Sequence, residues 1–253
     1  MNTIHRGMLA LLLLTFATLT VSALTPEEAQ ELLAKLDVSM TFESGDFAAV
    51  MTIISEDPES GVDKRVVQQY RRDAEDKFLM LFEEPVTQRG QGYLNIDDNL
   101  WFYDPESRKF SHTSMKEQFA DSDANNSDFG ASTTADDYRV VSVEETTLGK
   151  YNVYVVELEG LNNEVTYPFQ KIWLTRDTNL VLKSENSSAS GRLMRTSYYP
   201  TYATIEGKYI PTKMIFIDNL IAGKKTQIAI TGISVADLPD SLFTKAYIER
   251  VNR

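Results

Sequence analysis

The residues able to do chemistry are few, and their spacing serves it poorly. The chain of 253 residues has no cysteine and two histidines, His5 and His112. Without thiols there are no disulfides, no thiol catalysis, no haem attached through cysteine and no cysteine-held zinc or iron-sulfur site. His112 lies in Phe110-Ser111-His112-Thr113-Ser114, so two hydroxyls sit near a base. No Gly-x-Ser-x-Gly elbow presents a nucleophile to it, and His112 reads as an exposed loop histidine. One histidine cannot build a histidine-rich site for a first-row metal. Asp121, Asp123 and Asp128 hint at calcium, but the glycine and terminal glutamate of a calcium loop are missing at the required spacing. They read as carboxylates of a solvated loop. Asp136-Asp137 and Glu144-Glu145 read as surface or cap carboxylates, and a large acid count alone cannot assign a glycosidase pair. Gly90-Gln91-Gly92 eases a bend between strands. The aromatic stripe Tyr198-Tyr199-Pro200-Thr201-Tyr202 reads as sheet-face packing, with a pocket mouth as the alternative. No cofactor or metal is expected, and an enzyme is the least supported class.

The charge balance excludes other functions. Lys and Arg number 25 against 37 Asp and Glu, a formal net charge of -12. Such a balance argues against nucleic acid and against acidic lipid headgroups. It leaves neutral ligands held by apolar contact. Residues 1–23 look like an address: Arg6, an apolar run from Met8 to Leu19, then Val21-Ser22-Ala23 before a cleavage point. The run is short for a membrane span. The expected product is residues 24–253, one domain, exported across the inner membrane as a soluble periplasmic protein.

The elements are mostly strands. Thr25 caps a helix, Pro26 opens it and Glu28 completes a capping box. Ala29, Leu32, Leu33 and Leu36 recur at helical spacing through residues 26–36. Beyond Gly45 the period turns toward two, and strands follow from Phe47 to Ser234, separated by Asp, Asn, Pro and Gly turns. Residues 112–137 interrupt them as a polar loop, with a short helix near Met115–Phe119 and with Phe119 and Phe129 as apolar anchors. Residues 241–249 form a C-terminal helix or tail. The tally of about eleven strands with short links favours one antiparallel sheet curled on itself, with two packed sheets as the alternative. Phe78–Phe82, Val153–Val156 and Met214–Ile217 are apolar on both faces and need cover on both sides. Either every such side chain packs in a dry core, or some line an apolar cavity.

Several segments, in order, resemble the LolA-like family of outer-membrane lipoprotein-sorting proteins. Pro85-Val86-Thr87-Gln88-Arg89-Gly90-Gln91-Gly92-Tyr93-Leu94 is similar to its proline to arginine-glycine stretch. Leu100-Trp101-Phe102-Tyr103-Asp104-Pro105 with Arg108-Lys109 resembles the next hairpin. Ser127-Asp128-Phe129-Gly130 and Asp136-Asp137-Tyr138 resemble the central segment, stretched here by residues 131–135. Lys171-Ile172-Trp173-Leu174, Leu180-Val181-Leu182-Lys183 and Ile210-Pro211-Thr212-Lys213-Met214 resemble later strands. The resemblance implies an unclosed antiparallel barrel with a helical lid, here residues 26–36 and 113–119, over a hydrophobic cavity. It implies a carrier of lipoprotein acyl chains or lipid toward the outer membrane. The candidate lining, one apolar face of each strand, is Val50, Ile53, Phe78, Met80, Phe82, Trp101, Tyr103, Val153, Val155, Trp173, Met214 and Phe216. An accessory or sensor subunit of an RND-type inner-membrane transporter, or a partner of a lipoprotein-release complex, stays open. So does a structural envelope protein with a filled core.

Overall fold

The computed structural model describes residues 24–97 and 99–252. The expected leader, residues 1–23, and Asp98 of the turn before Asn99 lie outside them. The first helix, α1 (Pro26–Met40), starts as its sequence dictates. The Glu28 amide donates to Thr25 Oγ1 at 3.2 Å and the Thr25 amide donates to Glu28 Oε2 at 2.8 Å, so two orphan donors are satisfied together. Ala29, Leu33 and Leu36 are its buried stripe. The helix runs one turn past the expected Leu36, to Met40.

Thirteen strands follow among the described residues. They are β1 (Phe47–Asp57), β2 (Gly61–Arg72), β3 (Lys77–Glu84), β4 (Gly92–Ile96), β5 (Asn99–Asp104) and β6 (Lys109–Thr113). After the central segment come the short helix α2 (Thr134–Asp137), β7 (Tyr138–Leu148), β8 (Tyr151–Gly160), β9 (Phe169–Thr175) and β10 (Val181–Ser187). Then β11 (Leu193–Ile205), β12 (Lys208–Asp218), β13 (Lys225–Val235) and the C-terminal helix α3 (Lys245–Val251) end the described chain. Pro200 does not end β11, whose pairing with β12 shifts register between Tyr198 and Tyr202. The Met115–Phe119 segment is a turn rather than the expected helix. His112 is exposed, as expected, but stands on β6 rather than in a loop, edge-on to Trp101.

All thirteen strands form one sheet, ordered β6-β5-β4-β3-β2-β1-β13-β12-β11-β10-β9-β8-β7. Every neighbouring pair is antiparallel. Two meanders therefore run outward from the β1–β13 pair. Their last strands, β6 and β7, are the two open edges, yet they are consecutive in sequence. The chain between them has to cross the opening, and this topological fact gives the central segment its job. One face of the sheet, the inner face, carries both α1 and this segment. The other carries the C-terminal segment, where Ile248 of α3 and Leu242 and Phe243 before it pack on Leu79, Leu81, Leu94 and Tyr103.

Alternation settles which residues face inward. On β3, Phe78, Met80 and Phe82 face the inner cluster, and Leu79 and Leu81 the α3 side. This double burial explains why Phe78–Phe82 reads as apolar throughout.

Candidate functional site: an internal cavity under two covers

A cavity of about 440 Å³ lies between the inner face and its covers. Its sheet wall comes from Phe47 and Met51 on β1, Gln69 and Arg71 on β2, and Ser184 and Asn186 on β10. Arg195 and Tyr199 on β11, Ile210, Pro211, Met214 and Phe216 on β12, and Ile230 on β13 continue it. Met40 at the end of α1, Met115, residues 127–134, Asp137, Tyr138, residues 164–167 and Gln170 close it. Four methionines, two on the sheet and two on the covers, give a surface that adapts to an occupant's shape. The polar wall residues sit mainly at the central segment and β10, so the space is two-sided rather than uniformly greasy.

The central segment folds into the opening rather than over it. Phe119 is fully buried and stacks on Phe82 at 5.5 Å between ring centroids. It also meets Tyr93 at 4.8 Å and Phe129 at 4.7 Å. Around these rings the backbone is satisfied by side chains. Gln69 Nε2 donates to Phe129 O at 2.8 Å, and Asn125 and Asn126 donate their amides to Lys116 O and Ser114 O. The reading of this stretch as a solvated loop is thus corrected: Ser122, Asp123, Asn125 and Asn126 are all buried.

Arg195 fixes this segment to the sheet. Its Nη1 and Nη2 donate to the two carboxylate oxygens of Asp128 at 2.6 and 2.9 Å, a bidentate pair. Nη1 also reaches Asp123 O and Asn125 Oδ1, both at 3.1 Å. The guanidinium lies 4.6 Å from the Phe216 ring centroid. Burial pulls the Arg195 pKa down, but Asp128 more than offsets this, and the group stays charged. The neighbouring carboxylate, Asp123, accepts from the Thr226 hydroxyl at 2.8 Å and lies 3.9 Å from Lys224 Nζ. Burial raises its pKa against both of these contacts. Burial likewise pushes the Tyr138 hydroxyl, on the cavity wall, up to about 12.

The structure divides the candidate lining by strand face. Met214 and Phe216 touch the cavity. Ile53, Phe78, Met80 and Phe82 lie in the inner cluster beside it, under Phe119 and Phe129. The other six face the opposite side. Val50 alternates with Met51, and Ile53 is three residues on, which in a strand reverses the face. Trp101 and Tyr103 alternate with the inward Leu100 and Phe102, and Lys245 of α3 stands 3.2 Å from the Trp101 ring centroid. Val153 and Val155 alternate with Tyr154, Val156 and Leu158, which pack under α1. Trp173 alternates with Ile172 and Leu174 of that same cluster. Phe47 and Met51 on the wall were legible from period two once Ile53 was chosen, whereas Ile230 joins them only through the pairing of β13 with β1. Arg195 carried no sequence signal, because its partner Asp128 is far away along the chain. Of the aromatic stripe, Tyr199 lines the cavity and the Tyr202 hydroxyl donates to Val181 O at 2.5 Å. Among the described residues, no group of three or more His, Cys, Asp or Glu is arranged to hold a metal ion, and no helix is long and apolar enough to cross a membrane.

This architecture has known counterparts. A LolA superfamily protein from Nitrosomonas europaea is 28% identical over 87% of this chain and 98% of its own, with a TM-score of 0.75. A domain from Vibrio parahaemolyticus, assigned to outer membrane lipoprotein sorting, is 21% identical over 89% and 100%, with a TM-score of 0.79. A DUF1329 family protein from Desulfovibrio piger is 22% identical over 88% and 98%, with a TM-score of 0.76. The fold is that of the LolA superfamily. A family model whose description reads "-like: Uncharacterized protein" matches residues 74–250, and the chain belongs to that family. No curated protein matches the sequence.

Proposed function

We propose that the protein is a periplasmic carrier that takes an apolar or acyl ligand into the inner cavity and releases it toward the outer membrane. The observation that carries this reading is the space of about 440 Å³ left between the sheet and its covers in a chain of LolA superfamily fold. Its size is that of a site for one small ligand, roughly 300–1,000 Å³. Each methylene buried there contributes about 0.8 kcal/mol. The titratable groups on the wall favour holding over reacting. Arg195 is locked by Asp128, and burial keeps Tyr138 protonated. On this reading the protein binds and releases, and is not an enzyme.

The ligand is an acyl chain of a lipoprotein or a free lipid. A larger cargo enters only when the central segment withdraws Phe119 and Phe129, because those rings fill the remaining inner space. Loading is then a population shift of that cover. The same filled region favours a second reading, an envelope protein whose interior is structural. Native mass spectrometry of gently purified protein, with displacement of a hydrophobic fluorophore by fatty acid, separates the two. A copurified acyl species or saturable displacement supports the carrier. Absence of both ends that reading. An inner-membrane transporter of the RND type, or a lipoprotein-release complex, is the proposed donor, and the test is its recovery by crosslinking to the closed and opened forms.

A further inference from the structure

Hairpin tips are ordinarily polar, because Gly, Asn, Asp and Ser suit their backbone. The β12–β13 tip is instead Leu220-Ile221-Ala222-Gly223, with Leu220 and Ile221 exposed at 40% and 43%. Its backbone is held from below: the amides of Leu220 and Ile221 donate to Asp218 Oδ1 at 2.6 and 3.0 Å, leaving both side chains free to project. Strand register puts further apolar side chains at this same end. Val62 opposes Glu56 on β1, and Glu56 opposes Lys225 at the start of β13. Val66 opposes Glu84, so the β3–β4 turn with Val86 lies here too. The β8–β9 connection, which begins at Leu161, also leaves from this end, since Phe169 opposes Ser187 and Arg195 opposes Asp218. Val62 and Val86 are 74% and 76% exposed, the two highest values for large apolar side chains among the described residues.

Most charges in the neck beneath these tips are paired, while Glu59 in the β1–β2 turn and Glu83 at the end of β3 are exposed carboxylates. Glu56 pairs with Lys225 at 3.0 Å, Glu84 with Lys64 at 3.0 Å, Asp63 with Arg65 at 2.5 Å and Asp57 with Lys224 at 3.8 Å. In a chain of net charge -12 an end with most of its charges paired suits an uncharged interface better than an anionic one. We propose that this rim docks on the headgroup layer of a zwitterionic lipid bilayer, with Val62, Val86, Leu161, Leu220 and Ile221 entering it together. Separate convex knobs on several hairpins do not fit one protein groove, whereas a soft planar layer accepts them all. The connection that carries Leu161 continues into Glu164–Tyr167, which walls the cavity, so docking places that wall against the lipid. This goes beyond the carrier reading, since docking requires no ligand inside.

The test is sedimentation of the purified protein with phosphatidylcholine vesicles at low and high salt. The expected result is binding that high salt does not weaken, about tenfold weaker for L220D/I221D and weakened independently by V86D. Y151D, at the opposite end of the sheet, binds as the unaltered protein does. Thermal midpoints and fluorophore displacement from the cavity stay unchanged in all three variants, which separates loss of docking from loss of the carrier site. Failure of the unaltered protein to sediment overturns the proposal. So does equal binding by L220D/I221D, or an equal loss in Y151D.

Discussion

The two covers of the inner face are held by different physics. Under α1, Ala29, Leu33 and Leu36 meet Val156, Leu158, Ile172 and Leu174, and the contact is mainly apolar area. Polar ties are added at the margins, as where Gln30 bonds Tyr138 O and the Val140 amide on the open edge of β7. The central segment has two main aromatic anchors and otherwise a lattice of hydrogen bonds closed by the Arg195–Asp128 ion pair. Apolar burial is non-directional and survives small displacements. A buried pair is favourable only while its geometry is complete. On the carrier reading the central segment is thus the cover expected to open as a unit, and α1 the one expected to stay in place.

The comparison breaks most readily at the anchors. Phe119→Ala should cost about 3–5 kcal/mol in denaturant unfolding and should raise uptake of an apolar fluorophore, since the lost ring backs Phe129 of the cavity wall. Unchanged uptake would mean that the space collapses. Arg195→Ala should cost up to about 3–5 kcal/mol, because it leaves the half-buried Asp128 carboxylate without its partner. Limited proteolysis should then cut within residues 114–137 before it cuts α1. Arg195→Lys should rescue little, since an ammonium cannot reproduce the bidentate pair. Leu33→Ala should cost about 2–5 kcal/mol without exposing the central segment. If it does expose that segment, the two covers are one unit.

Acid sharpens the contrast. Asp46 accepts from Arg72 at 2.9 Å through each carboxylate oxygen, and this hydrogen bonding lowers its pKa. A lowered value means stability that is present above the ordinary carboxylate range and lost as pH falls through the folded value. Asp123 has the opposite sign. Burial raises it, so its favourable contribution is complete below the ordinary range and is lost as pH rises through the folded value. Asp123→Asn should therefore raise the thermal midpoint at neutral pH, and the gain should vanish in acid. A midpoint lowered at neutral pH would show that the carboxylate's contacts with Thr226 and Lys224 outweigh its burial. The smallest effect is expected at Thr25→Ala, about 1 kcal/mol from the lost cap, with no change in probe uptake.

Local chemistry made some of this legible in the sequence. The cap at Thr25 and Glu28 lies within a few residues and works in any fold that contains the helix. The turns and the period of two gave the strands, because both depend on neighbours in sequence. Strand count was harder. β11 crosses Pro200 without ending, since its register shift absorbs the break. Among the candidate lining residues, Met214 and Phe216 came from alternation within one strand and share a face. Val50 and Ile53 were set three apart and do not.

What the sequence determined by itself was a strand-rich chain with a capped first helix, no thiol chemistry and strands greasy on both faces. Tertiary structure decided which of those faces looks inward, since that depends on which strands pair and what lies across them. It also turned a polar stretch into a plug. Strands β6 and β7 end up at opposite edges of one sheet, so the chain joining them has to cross the gap. Only there do Asp128 and Arg195, 67 residues apart, come within hydrogen-bonding distance.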